Sequence, residues 1–139
     1  MNEYEKQAAD FLKSCGAKMT IKQVDIVDRF PNDNGGPCGL RYKYRVRIVR
    51  KDRGSFSLDF YGSIADFQRG RAATCYDVLS CVQKYDVGTF AEFCDEYGYN
   101  SENLSEYPRI MRIYKAVKRE YNNVERVFGD VMSELCEIA

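Results

Sequence analysis

The spacing of hydrophobic residues changes along the chain, and these changes predict where helices and strands lie. Residues 3–15 place their apolar side chains on one helical face, and Gly16 follows as a stop signal. In residues 40–50, apolar and basic residues alternate, which predicts a strand with one buried face and one basic face. Residues 55–62 alternate again, and 19–30 has the composition of a third strand. The three strands should form an antiparallel meander that helices cover.

The second half of the chain returns to the helical period. Two threonines precede an acidic residue by three positions, which is the spacing of a helix capping box. These pairs are Thr74 with Asp77, and Thr89 with Glu92. The helix that begins after Thr74 carries an apolar stripe from Cys75 to Tyr85. A longer stripe predicts a helix over 107–128, and a last short helix is expected over 131–138.

Together these elements predict an α+β fold, in which an N-terminal helix and a three-stranded antiparallel sheet are followed by about four α-helices. A length of 139 residues suits a single domain over 1–139. Within it, 1–62 should form the helix and the sheet, 63–73 a linker, and 74–139 the helical part. Apolar runs long enough for a signal peptide or a membrane span are missing, so a cytoplasmic protein is expected.

The sequence contains no histidine, which removes Ser-His-Asp and Cys-His mechanisms and all histidine-ligated metal sites. The loop 31–39 is rich in glycine but lacks the Lys and Ser/Thr of a phosphate-binding P-loop. Aligning Gly35 with the EF-hand glycine puts Arg41 where the bidentate Glu belongs, which argues against calcium. We therefore expect a protein that is not an enzyme, with no catalytic residues, no metal and no cofactor.

Six cysteines occur without a CxxC pair, and we expect free thiols rather than disulfides or a zinc site. Two of them are candidates for reactivity. Cys38 lies in the glycine-rich loop, and Cys75 begins a predicted helix, whose dipole should lower the pKa of the thiol. Neither has a neighbouring base, so the interpretation as ordinary thiols is favoured for both.

Charge is balanced over the whole chain, with 21 basic and 21 acidic residues, but it is unevenly distributed. Residues 40–53 hold seven basic residues and one acidic residue, whereas 86–106, the acidic segment, holds six acidic residues and no basic one. The candidate binding residues of the basic strand are Arg41, Lys43, Arg45, Arg47, Arg50 and Arg53. Those of the acidic segment are Glu92, Asp95, Glu96, Tyr97, Tyr99 and Glu102.

Each of these two surfaces has more than one interpretation. Alternate cations on a strand stand about 7 Å apart, which suits contacts to nucleic-acid phosphates or to an acidic protein. The basic strand is otherwise a solvated sheet face, or a face that the acidic segment covers within the molecule. The acidic segment, in which tyrosines lie beside carboxylates, is either a protein-binding surface or an ordinary loop.

Three stretches of the second half resemble a known family. They are FYGSIAD (60–66), YDVLSCVQKYDVGTFAEFCDEYGY (76–99) and IYKAVKREYNNVERVF (113–128). Over roughly residues 56–139 the chain resembles small, largely uncharacterised proteins encoded by bacteriophages and other mobile elements of gut Firmicutes. It departs from their pattern in NSENLSEYPRIMR (100–112), where similar sequences carry a shorter, more charged link. The resemblance implies an accessory protein in the cytoplasm of a bacterial host.

Proteins of this kind often act by binding, as anti-CRISPR proteins do when they block a Cas protein. The leading hypothesis is therefore direct, non-catalytic inhibition of a host defence complex such as a Cas effector, without a membrane partner. The alternative is a nucleic-acid-binding accessory protein that contacts phosphates through the basic strand. A homodimer in which the two charged surfaces pair is left open.

Overall fold

The computed structural model describes residues 2–28, 40–62, 73–83 and 86–138. The predicted linker 63–73, apart from Ala73, and the glycine-rich loop that holds Cys38 lie outside the described residues. Among the described helices, none is both long enough and apolar enough to span a lipid bilayer.

The described elements follow one another as one helix, three strands and four helices, which confirms the predicted α+β fold. They are α1 (Glu3–Cys15), β1 (Ala17–Asp28), β2 (Leu40–Arg50), β3 (Gly54–Tyr61), α2 (Cys75–Val82), α3 (Phe90–Tyr97), α4 (Tyr107–Phe128) and α5 (Met132–Cys136). A single 3₁₀ turn, Gly129–Val131, connects α4 to α5.

Local signals in the sequence set most of these bounds. Both capping boxes are present, since Thr74 accepts from the backbone N–H of Asp77 and Thr89 from that of Glu92. Gly16 ends α1 in the left-handed region, at φ 72°, where glycine is favoured.

Several bounds differ from the prediction, and β3 lies over Gly54–Tyr61 where the alternation predicts 55–62. The first strand begins at Ala17, two residues before the predicted start. Helix α2 ends at Val82, before the predicted last stripe position. The predicted helix over 131–138 is shorter, because the chain passes through the 3₁₀ turn before α5 forms over Met132–Cys136.

The three strands form one antiparallel sheet in the order β1-β2-β3. Their register places Ile48 of β2 opposite Met19 of β1 and Phe56 of β3. An irregularity between Gln23 and Asp25 interrupts the pairing of β1 with β2. Since successive side chains alternate, this register gives the sheet one apolar face and one polar face.

The apolar face packs against the helices in the main core of the protein. Its buried residues are Ala8, Phe11, Ala17, Val46, Ile48, Phe56, Val78, Leu79, Val82, Val124, Val127, Phe128, Leu135 and Ile138. On the opposite face, which we call the outer face, side chains such as Lys22, Arg45 and Ser57 are exposed. No described helix covers these side chains, so this part of the molecule has two layers.

A second, smaller core lies between α3 and the first half of α4. Its buried residues are Val87, Phe93, Cys94 and Ile110. The hydroxyl of Tyr114 donates to the carbonyl of Gly88 at 2.7 Å, and Lys118 pairs with Asp86 at 2.6 Å. Helix α4 has 22 residues and is about 33 Å long. It therefore carries the acidic segment on its first half and contributes to the main core with its second half.

The guanidinium of Arg50 joins the sheet to the ends of two helices. Its Nε donates to the carbonyl of Cys15 in α1 at 2.8 Å, and its Nη1 donates to the carbonyl of Val127 in α4 at 3.0 Å. Both carbonyls lie in the last turn of a helix, where a cation is favoured. The Arg50 side chain is only 12% exposed.

Asp130 completes this contact through an ion pair to both terminal nitrogens of Arg50, with Nη2 2.9 Å from Oδ2. The hydrogen bond raises the pKa of the Arg50 guanidinium above its usual value, and it lowers the pKa of the Asp130 carboxyl. Both groups therefore stay charged over a wider pH range, and the end of β2 is fixed to the helices by charge-assisted hydrogen bonds.

Arg50→Ala should lower the free energy of unfolding by about 2–3 kcal/mol, because two carbonyls and a carboxylate lose charge-assisted hydrogen bonds. Arg47→Ala, on the exposed side of the same strand, is the matched control and should change it by less than about 0.5 kcal/mol. Urea unfolding followed by circular dichroism measures both variants. Equal effects of the two substitutions would contradict this role of Arg50.

Candidate functional site

The outer face carries a cationic patch that all three strands build. Two rows of directly paired residues cross it, Thr20–Arg47–Ser57 and Lys22–Arg45–Asp59. Residues that face each other across antiparallel strands have Cβ atoms about 5 Å apart. The side chains of Lys22, Arg45 and Arg47 are all exposed. The patch therefore presents three cations within the reach of one extended anionic ligand.

Asp59 is an acidic residue within this patch. Its carboxylate lies 3.5 Å from Nε of Arg45 and 3.6 Å from Nζ of Lys43. The side chain of Arg45 is 59% exposed, so this ion pair is solvated and weak. Asp59 therefore offsets part of the positive charge of β2 without holding either cation firmly.

The six basic residues that the sequence singled out do not all lie on this patch. Lys43, Arg45 and Arg47 do, whereas the side chain of Arg41 lies outside the described residues. Arg50 binds the helix ends as described above, and Arg53 donates from Nε to the carbonyl of Arg126 at 3.1 Å. Arg53 also lies 3.4 Å from Asp130. Arg50 and Arg53 thus contact the helices and lie away from the outer face.

Two lysines of β1 add to the patch that sequence reasoning assigned to β2 alone. Lys22 lies opposite Arg45, and Lys18 lies opposite Val49. Both lysines are exposed. The signal was present in the sequence, because Lys18, Thr20 and Lys22 alternate with Met19 and Ile21. The imperfect alternation farther along β1 obscured it, and the register that aligns these lysines with β2 depends on the folded sheet.

The acidic segment divides into structural and exposed residues. Glu92 belongs to the cap of α3, where its Oε1 lies 3.1 Å from the hydroxyl of Thr89. Tyr99 stacks on Phe93 in the second core, with ring centroids 5.8 Å apart. Asp95, Glu96, Tyr97 and Glu102 are exposed.

Leu104 is a further exposed residue of this segment that sequence reasoning missed. Its side chain is 84% exposed, and that of Tyr97 is 56% exposed. Glu96 and Tyr97 also line a cleft of about 320 Å³ beside Tyr121 of α4. Carboxylates and apolar side chains are thus exposed together at this end of the molecule, as in many protein-binding surfaces.

The two charged surfaces do not cover each other in the described part of the chain. Arg45 pairs with Asp59, and Arg50 and Arg53 pair with Asp130. The described side chains of the basic strand form no ion pair with the acidic segment, which packs on α4 instead. Among the described residues, the acidic segment therefore does not cover the basic strand.

Cys75 corrects an expectation from the sequence. The position at the start of α2 was expected to lower the pKa of its thiol, but burial and the carboxylate of Glu5 raise it to about 12. The sulfur donates to Oε1 of Glu5 at 2.8 Å. A nearby negative charge and low solvation both oppose formation of a thiolate, and here they outweigh the helix dipole.

The described residues contain no group of three or more Cys, Asp or Glu side chains placed to hold a metal ion. The five cysteines among them, Cys15, Cys75, Cys81, Cys94 and Cys136, are free thiols. Comparisons with protein-family models, with curated proteins and with solved structures found no match to this chain. A function must therefore be argued from the geometry and charge of the two surfaces.

The thiol of Cys75 should react with iodoacetamide far more slowly than the exposed thiols of Cys81 and Cys136. A pKa of about 12 in place of 9.0 reduces the thiolate population near neutral pH by about a thousandfold. Timed alkylation with peptide mass spectrometry measures all three rates in one sample. Equal rates at Cys75 and Cys81 would contradict the effect of Glu5 and burial.

Proposed function

We propose that the chain is a non-catalytic binding protein that inhibits a host defence complex, such as a Cas effector, through the outer face of its sheet. The observation that carries this proposal is the exposed group of cations that Lys22, Arg45 and Arg47 form on two neighbouring strands. A defence complex that holds nucleic acid exposes phosphates, which such a patch complements.

The choice of a host defence complex follows from the resemblance of residues 56–139 to proteins of bacteriophages and mobile elements. Such a protein acts in the cytoplasm of the bacterial host and needs neither a cofactor nor a membrane. The exposed carboxylates of the acidic segment, with Tyr97 and Leu104 beside them, supply a second contact surface for the same partner.

A second candidate function is that of a nucleic-acid-binding accessory protein. The specific observation in its favour is the spacing of the cations, since Arg45 and Arg47 lie two residues apart on one strand. That separation is about 7 Å, and Lys22 lies about 5 Å from Arg45 across the sheet. Under this function, binding needs no protein partner and weakens steeply with salt.

A tagged pull-down from host lysate, run with and without nuclease, distinguishes the two functions. We expect the wild-type chain to retain a component of a defence complex after nuclease treatment. The triple variant Lys22→Glu, Arg45→Glu, Arg47→Glu should lose that component, because three charges are reversed on the outer face. Mass spectrometry identifies the retained proteins.

The matched control carries the same charge change on the helical side, at the exposed residues Lys6, Arg112 and Lys115. It should retain the component at the wild-type level. Retention of the component by the outer-face variant would contradict the proposed surface. If the chain instead recovers nucleic acid, together with proteins that nuclease treatment releases, the inhibitor function is contradicted. That result would favour the nucleic-acid-binding accessory function.

A further inference from the structure

We infer that Arg47 is the centre of a site for the backbone phosphates of nucleic acid, and that Asp59 limits the strength of that site. The inference deepens the proposed function, on which it rests, because it names the ligand chemistry of the same outer face. It concerns residues from all three strands, whereas the sequence pointed to one strand.

The register places Arg47 in the middle of a polar row. Thr20 and Ser57 lie directly opposite on the two sides, and Nη2 of Arg47 is 3.5 Å from the hydroxyl of Ser55. Lys18 and Lys22 lie on β1, two residues before and two residues after Thr20. Both lysines are therefore diagonal to Arg47. The central guanidinium is thus surrounded by hydroxyls and by two further cations.

These groups match the chemistry of a phosphate diester. A guanidinium binds two phosphate oxygens in parallel, and Ser, Thr and Lys side chains supply the remaining donors in most phosphate contacts. Lys18, Lys22 and Arg47 have no ion-pair partner among the residues that the structure describes. Their charges are therefore available to a ligand, unlike those of Arg50 and Arg53.

The outer face suits a nucleic-acid backbone held by the defence complex better than it suits the protein surface of that complex. Among the described residues that the register places on it, the exposed large apolar side chain is that of Val49, whereas protein hot spots concentrate aromatic side chains. In the described parts of β2 and β3, the outer face has a single aromatic residue, Tyr61, which lies opposite Lys43. Base stacking uses aromatic platforms, so contacts here fall on phosphates and carry little sequence preference.

Asp59 opposes this binding at one corner of the site. Its carboxylate pairs with Lys43 and Arg45 and repels a phosphate placed at Arg47, two residues away along the neighbouring strand. Because the patch holds few cations, one carboxylate removes a large share of its field. Neutralising Asp59 should therefore strengthen phosphate binding, which a purely structural role of Asp59 does not predict.

The test is fluorescence anisotropy of labelled oligothymidylate with the full chain, at low and at physiological salt. Arg47→Glu should weaken binding by about tenfold or more and reduce the salt slope by about one to two. Asp59→Asn should tighten binding by about threefold. Thermal unfolding of each variant verifies that it is folded.

Two controls have matched charge changes away from the site. Lys115→Glu on α4 has the charge change of Arg47→Glu, and Asp10→Asn on α1 has that of Asp59→Asn. Both positions are exposed, and both variants should bind oligothymidylate as the wild-type chain does. Equal weakening by Arg47→Glu and Lys115→Glu, or equal tightening by the two Asp variants, would overturn the site in favour of a net-charge effect.

The outcomes also separate this site from the proposed function. If the wild-type chain fails to bind oligothymidylate and Arg47→Glu still loses a nuclease-resistant defence protein, the outer face binds protein and the phosphate site is wrong. If oligothymidylate binds with the expected variant pattern and no defence protein is retained, the phosphate site stands and the inhibitor function is wrong.

Discussion

The position of the sheet depends on the contact of Arg50 with the helix ends. One guanidinium binds the last turn of α1, the last turn of α4 and the carboxylate of Asp130. Apolar packing beneath the strands is non-directional, whereas these hydrogen bonds fix the end of β2 in orientation. The cations of β2 therefore have two different roles. Arg50 stabilises the fold, and Arg45 and Arg47 remain on the outer face.

This division explains how a chain with zero net charge presents a cationic surface. The acidic segment packs on the first half of α4, and the sheet packs near its second half. Opposite charges are therefore held on different parts of the molecule instead of neutralising each other. Such an arrangement orients the protein toward an anionic ligand, because one side attracts the ligand and the other repels it.

Much of the fold could be predicted because its signals are local. Alternation in 40–50 gives the bounds of β2, and the Thr89–Glu92 spacing gives the start of α3. The roles of single cations could not be predicted in this way. Arg47 and Arg50 are the same residue type in one strand, and they differ through Asp130, which lies 80 positions from Arg50 in the chain. The raised pKa of Cys75 likewise depends on Glu5, a contact 70 positions away.

We expect anionic ligands to bind the outer face rather than the acidic segment. An NMR titration of the ¹⁵N-labelled chain with unlabelled oligothymidylate tests it most directly, because each backbone amide reports on its own surroundings. We expect the largest shift changes at the amides of Thr20, Lys22, Arg47 and Ser57, with those of residues 90–106 unchanged. Shift changes concentrated in 90–106, or a uniform response over the whole chain, would contradict it.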